Sequence, residues 1–193
     1  MPQLPLPRPR IPLPGPDELS PAQRKVYDEV VKGPRGVLRG PLRAVLHRAE
    51  LADKWQQLGE LLRYRTSLPP RLSELAILVT ARHWDSQFEW YQHAPIARKA
   101  GLPDAVIAAI ANGQRPALAA ADEIAVYGYA HELLARHVVD DACYASALSH
   151  LKETGIVELT ALVGYYTMVA MMLNSQGIPL PEGLPSPLPE IAR

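Results

Sequence analysis

Cysteine is nearly absent: Cys143 is the sole thiol among 193 residues. One thiol rules out an intramolecular disulfide and any Cys-x-x-Cys redox or zinc pair, a usage that fits the reducing cytoplasm. Net charge is lacking as well, since twenty basic and twenty acidic side chains cancel without a block of either sign. Phosphate backbones are bound by a basic face, so no nucleic acid partner is expected. The stretch "MPQLPLPRPRIPLPG" carries prolines where a signal peptide would carry its apolar helix. The most apolar segment, 156–173, contains Glu158, Gly164, Tyr165 and Tyr166. It reads as a core helix, and no membrane partner is expected. No stretch alternates apolar and polar residues between hairpin turns, so no sheet is predicted.

What remains is an ordinary soluble composition, 48% apolar and 21% charged, of a length suited to one domain. Twelve of the twenty prolines lie in 1–16 and 179–189. Residues 1–19 and 179–193 are therefore expected to be extended arms outside the packed core, lying on the surface or on a neighbouring subunit. Between them, 20–178 should form an all-α bundle. Ser20, Pro21 and Gln23 fit an N-cap, a first helical position and a capping box, with Gly33-Pro34 as the stop. A short helix near 42–47 and an amphipathic one near 49–65 follow. The latter places Leu51, Trp55, Leu58, Leu61 and Leu62 on one side. After Pro69-Pro70 comes a helix whose 75–79 run is apolar all round, hence buried. Further helices are predicted from near Ser86 to Gly101, from Pro103 to Gly113, and near 119–137, 141–153 and 156–174.

The segments from Glu74 to Pro103 and from Glu158 to Pro179 echo each other. Both run Glu-Leu-x-x-Leu-Val, then an aromatic-containing helix, then Gly-(Leu/Ile)-Pro. Aligning Glu158 with Glu74 sets Ala170 opposite Ser86 and Leu173 opposite Glu89. The second copy keeps the helical framework and loses the polar centre.

That centre is "SQFEWYQHA". Ser86, Glu89 and His93 are spaced three and four, so they share one helix face. Ser86-x-x-Glu89 also matches a capping box, in which case His93 is an ordinary half-buried histidine. Favouring chemistry, Glu74 sits directly before "LAILVTA", where an unpaired carboxyl has its pKa raised by burial. Such an acid carries a proton near neutral pH, as general acid–base catalysis requires, and His93 titrates in the same range. Arg82 is a candidate carboxylate clamp, and Trp84, Trp90 and Tyr91 could wall a pocket against water. Glu89 and His93 with Glu74 or His83 would suit a metal, but the HExxH and ExxH signatures are missing and none is assigned. Arg35, Arg39 and Arg43 recur every four residues of a glycine-rich loop, either as a solvated surface or as an attractant for an anionic substrate. "GPRGVLRG" lacks the GK[ST] ending of a phosphate loop.

The spacing from Glu74 to Ser86, Glu89 and His93 resembles the carboxymuconolactone decarboxylase / alkylhydroperoxidase-D-like family. The resemblance runs from "PLRAVLHRAELADKW" through "SLPPRLSELAIL" and "EWYQHAPIARKAGLP" to "GYYTMVAMMLN". It implies an all-helical bundle with a repeated helical hairpin and association as trimers or hexamers, with sites near subunit interfaces. The peroxidase branch carries Cys-x-x-Cys where this chain has Ser86 and Glu89, which implies a non-thiol branch that keeps Glu74 and His93.

The expected function is that of a cofactor-free lyase, transferring protons on a small carboxylated lactone or similar organic acid. His93 moves the proton, Glu74 orients it, Glu89 polarises water or substrate, and Arg82, Trp84, Ser86 and Trp90 bind substrate. Two other readings stay open: a peroxidase using Cys143, and a non-catalytic helical assembly protein with a vestigial site.

Overall fold

The computed structural model describes residues 8–191, and among them every regular element is helical. A 3-10 turn at Pro16–Glu18 precedes α1 (Pro21–Lys32), α2 (Pro41–Val45) and α3 (Ala49–Tyr64). Then come α4 (Pro70–His83), α5 (Gln87–Lys99), α6 (Asp104–Ala111), α7 (Ala121–Arg136) and α8 (Asp141–Gln176). α1 begins as its sequence predicts. The backbone N–H of Gln23 donates to Ser20 Oγ, and that of Ser20 donates to Gln23 Oε1, so two amides left open by helix geometry are satisfied.

α4 is the axis of the bundle. Every residue from 72 to 82 is buried, and α5, α6, α7 and α8 all pack against it. A helix apolar all round needs neighbours all round, and this one has them. α8 is long and apolar enough to cross a membrane by length and composition alone. In the fold its second half buries Leu159, Leu162, Val169 and Leu173 within the core. Lys152 interrupts α8 with φ 59° and ψ −179°, which separates the two helices predicted near 141–153 and 156–174.

α4 and α5 form a hairpin whose turn is built on Asp85, at φ 50°. The N–H of Ser86 donates to Ala81 O at 2.9 Å and that of Asp85 to Arg82 O at 3.2 Å. This pairing closes a helix through one left-handed residue. Gly101 and Gly177 close α5 and α8 with the same pair of bonds, so the two Gly-(Leu/Ile)-Pro echoes are equivalent stops. Between its stop and Lys152, however, α8 runs without a break. The second echo keeps one continuous helix where the first has a hairpin, because no left-handed residue stands opposite Asp85.

Two expectations are corrected. The buried face of α3 is Ala52, Trp55, Gln56, Gly59 and Leu62, while Leu51, Leu58 and Leu61 are exposed. Small residues at 52 and 59 let α3 lie close to its neighbours, and that closeness outweighs burying three leucines. The C-terminal arm, expected outside the core, contributes Leu188 to it at 2% exposure. Gln87 holds that point by accepting from the Leu188 N–H at 2.9 Å and donating to its carbonyl at 3.2 Å. The described part of the N-terminal arm is also tied down: the Arg10 N–H donates to Gln176 O, and His47 Nε2 is 2.7 Å from Pro12 O. Residues 1–7 and 192–193 lie outside the described residues.

Candidate active site

α5 presents Glu89 and His93 one turn apart, on the face turned toward α4 and α8. Both are buried, at 2% and 5% exposure, and both line a cavity of about 270 Å³. Around them stand Trp55 and Arg63 from α3, Arg35 from the loop after α1, and Tyr165 and Tyr166 from α8. Glu89 and His93 thus open onto a cavity, whereas Glu74 does not line it.

His93 Nδ1 is 2.8 Å from Glu74 Oε2, and both side chains are buried. With Glu74 as a carboxylate, Nδ1–H is the donor of this bond and Nε2 is the nitrogen left for chemistry. The edge of Tyr166 fixes the imidazole plane, with ring centroids 4.9 Å apart at 86°. Arg63 supplies positive charge behind this pair. Burial works against its charge, but Tyr166, Tyr64, Glu74 and Tyr165 together raise its pKa, so it stays a cation.

Glu89 is different in kind. Neither carboxyl oxygen has a hydrogen-bond partner, and burial alone pushes its pKa well above the usual carboxylate range. Desolvation disfavours the charged form, so Glu89 holds its proton. The site thus pairs an oriented imidazole with a protonated acid on the next helical turn. Tyr166 is not a proton donor near neutrality. Burial raises its pKa well above the phenol value, Arg63 pulls it back, and Glu74, Tyr165 and Glu89 add to the rise.

The capping-box alternative fails. Ser86 occupies the N-cap of α5, but its hydroxyl caps nothing, is fully buried and has no partner. Glu89 does not reach back to it and faces the cavity instead. Ser86 itself does not line that cavity. Neither do three other residues expected to bind substrate. Arg82 donates to Ala111 O at 3.0 Å, to Pro189 O at 2.9 Å and to the Asp85 carboxylate. It closes the open carbonyl end of α6 and lines a second cavity, of about 360 Å³, with Tyr127, His131 and Ile191. It is no carboxylate clamp for the Glu89–His93 site. Trp84 is half-buried with Nε1 3.3 Å from Thr167 Oγ1, and Trp90 is packed into the core.

Arg35 and Arg39 do line the cavity, whereas Arg43 donates to Leu13 O and fastens the N-terminal arm. Arg63, Trp55, Tyr165 and Tyr166 had no local signal marking them as site residues. Trp55 read as helix face, and the tyrosines as core aromatics. Cys143 lies outside the cavity, near the start of α8. Burial raises its thiol pKa first, with Glu132 and Asp140 adding to the rise. A reactive thiol needs the opposite shift.

The fold is shared with solved structures of low sequence identity. An uncharacterized peroxidase-related protein from Ralstonia eutropha JMP134, with an alkylhydroperoxidase AhpD core, superposes with a TM-score of 0.74. Identity is 17%, over 93% of this chain and 95% of that one. A peroxidase-related protein from Silicibacter sp. TM1040 gives a TM-score of 0.72 at 14% identity, covering 88% and 90%. The debrominase Bmp8, solved with 2,3,4-tribromopyrrole, gives 0.67 at 12% identity, covering 84% and 87%. No protein of curated function matches the chain. Residues 49–132, which hold Trp55, Arg63, Glu74, Glu89 and His93, match the Carboxymuconolactone decarboxylase family. That segment is similar to the carboxymuconolactone decarboxylase family, and the bundle as a whole shares the AhpD-like fold.

Proposed function

We propose that this protein is an acid–base enzyme acting on a small organic acid, with Glu89 as proton donor and His93, held by Glu74, as proton acceptor. The observation that carries the reading is the unpartnered carboxyl of Glu89 on the same cavity wall as His93. A buried carboxyl without a partner costs stability. Retaining it beside an oriented imidazole has a purpose if a ligand supplies the missing partner.

In its decarboxylation form, the C–C bond to the departing carboxylate breaks and its electron pair moves into a conjugated carbonyl. CO2 leaves and the carbanion carbon takes the proton of Glu89. His93 Nε2 then takes up one proton from solvent and passes it to the Glu89 carboxylate, so each turnover consumes one proton and restores the pair. Arg63 offsets the negative charge that develops near His93. Ser86 and Glu89 at the positions of the peroxidase branch's cysteines support a non-thiol branch, as does the raised pKa of Cys143.

The test is turnover of unsaturated lactone carboxylates by folded variants. Glu89→Gln and His93→Ala should each lower it by about 10²–10⁴-fold, the usual size of general acid–base help, with helical content unchanged. A folded double variant with full activity would refute the assignment.

A further inference from the structure

Polar atoms at the α3 end of the cavity are as unsatisfied as Glu89. Trp55 is 4% exposed, yet its indole Nε1–H has no acceptor. Arg35 reaches in from the loop after α1 with Nε buried and unbonded and with Nη2 beside the Tyr165 hydroxyl. The Trp55 Nε1–H and the Arg35 Nε–H thus stand at one cavity with no acceptor. The Tyr165 hydroxyl makes a long contact, 3.4 Å, to the carbonyl of Trp55 and orients the same corner. Its ring meets that of Trp55 at 5.9 Å.

Gly59 makes this corner possible. A Cβ at position 59 would overlap both the Tyr165 hydroxyl and Arg35 Nη2. Glycine inside a helix costs roughly 0.5–1 kcal/mol relative to alanine, and here it gives the guanidinium its place against α3. The corner is set apart from the proton-transfer end. Tyr165 belongs to Trp55 and Arg35, Tyr166 belongs to His93, and the two rings are 5.4 Å apart.

We propose that Arg35 and Trp55, seated on Gly59, form a cradle for a carboxylate of the substrate. It holds that group as a handle while the reacting carbon faces Glu89 and His93. The assignment of the reacting end rests on the proton-transfer reading above; the cradle itself does not. A carboxylate fits the donors, because two planar oxygens can take the guanidinium edge and the indole N–H together. The remaining walls favour an organic anion over an inorganic one, since Leu42, Phe88, Val169 and Leu173 line the same space. A substrate of this kind is bifunctional, with one carboxylate that is bound and a separate centre that reacts.

Calorimetric titration with benzoate, benzamide and inorganic phosphate tests the cradle at neutral pH. Benzoate should bind, with benzamide and phosphate at least tenfold weaker, because a charge-assisted hydrogen bond contributes about 1.5–3 kcal/mol, or roughly 10–100-fold. Arg35→Gln, Trp55→Phe and Gly59→Ala should each weaken benzoate about tenfold or more, and Arg35→Lys less than Arg35→Gln. His131→Ala, in the second cavity, should leave it unchanged. Circular dichroism confirms that each variant is folded, and Gly59→Ala favours the helix locally. Equal binding of benzamide, tighter phosphate, no benzoate binding, or benzoate affinity indifferent to both Arg35→Gln and Trp55→Phe would overturn the cradle. Benzoate bound as expected, in a protein whose Glu89→Gln/His93→Ala variant keeps full turnover, would uphold the cradle and remove only the proton-transfer assignment.

Discussion

Glu74 Oε2 and His93 Nδ1 lie 2.8 Å apart and tie α4 to α5 inside the core. Nineteen residues of sequence separate them, and the turn at Asp85 folds that distance away. Removing the acceptor leaves a buried ring N–H without a partner. Glu74→Ala should therefore destabilise the fold by about 1.5–3 kcal/mol, the range for a hydrogen bond to a charged group. Glu74→Gln keeps an acceptor oxygen and should cost less. Urea unfolding of the two variants reads the difference, and equal losses would show that the acceptor itself contributes nothing.

Glu89 makes stability depend on pH in the direction opposite to a salt-bridged carboxylate. Its pKa is raised in the folded state by burial, so the native protein holds this proton more tightly than the unfolded chain does. Above the unfolded value of about 4.3, the native state binds more protons, and unfolding free energy falls as pH rises toward the folded pKa. Glu89→Gln is neutral throughout and lacks this slope. The stability of Glu89→Gln relative to the parent should grow steadily as pH is raised from mildly acidic to mildly alkaline in urea titrations. A difference independent of pH would mean that Glu89 is ionised in the folded protein.

What could be read from sequence was what is local. Ser20 and Gln23 announce α1 because a capping box is closed within four residues. Gly101 and Gly177 announce stops for the same reason. The hairpin stop at Asp85 is quieter, since aspartate in the left-handed region carries no glycine signature. The spacing of Glu89 and His93 survives folding because helical periodicity sets it, whereas Glu74 meets His93 only through the turn at Asp85. Arg82 does not follow the pattern. It lies near Glu89 in sequence, yet it is drawn to the carbonyls of Ala111 and Pro189 on the far side of α4. Trp55, Arg63, Arg35 and Tyr165 reach the cavity only through packing of α3 and α8, and no short window of sequence encodes that meeting.

Cys143 should behave as a sluggish thiol. Burial raises its pKa, and Glu132 and Asp140 raise it further by opposing a thiolate. The thiolate is the reactive form, so alkylation by iodoacetamide at neutral pH should be slower than that of free glutathione. Cys143→Ser should leave lactone turnover unchanged. Loss of activity in that variant, or rapid labelling, would restore the thiol-based reading of the protein.

Leu188 fastens a proline-rich arm expected to lie outside the packed core. It is 2% exposed, and Gln87 brackets its backbone with two hydrogen bonds at 2.9 and 3.2 Å. Leu188→Ala deletes buried methyl groups and leaves a cavity, which typically costs about 2–5 kcal/mol. Gln87→Ala removes hydrogen bonds at a half-buried site and should cost about 0.5–1.5 kcal/mol each at most. In a chain of this length, 1 kcal/mol corresponds to roughly 2–4 °C in Tm, so the leucine variant should melt several degrees below the glutamine one. Arg82 is coupled to the same arm through Pro189 O, and a truncation ending before Leu188 removes both anchors together. The truncated protein should therefore lose at least as much as Leu188→Ala in thermal melts. A truncation as stable as the parent would show that the arm rests on the bundle without holding it.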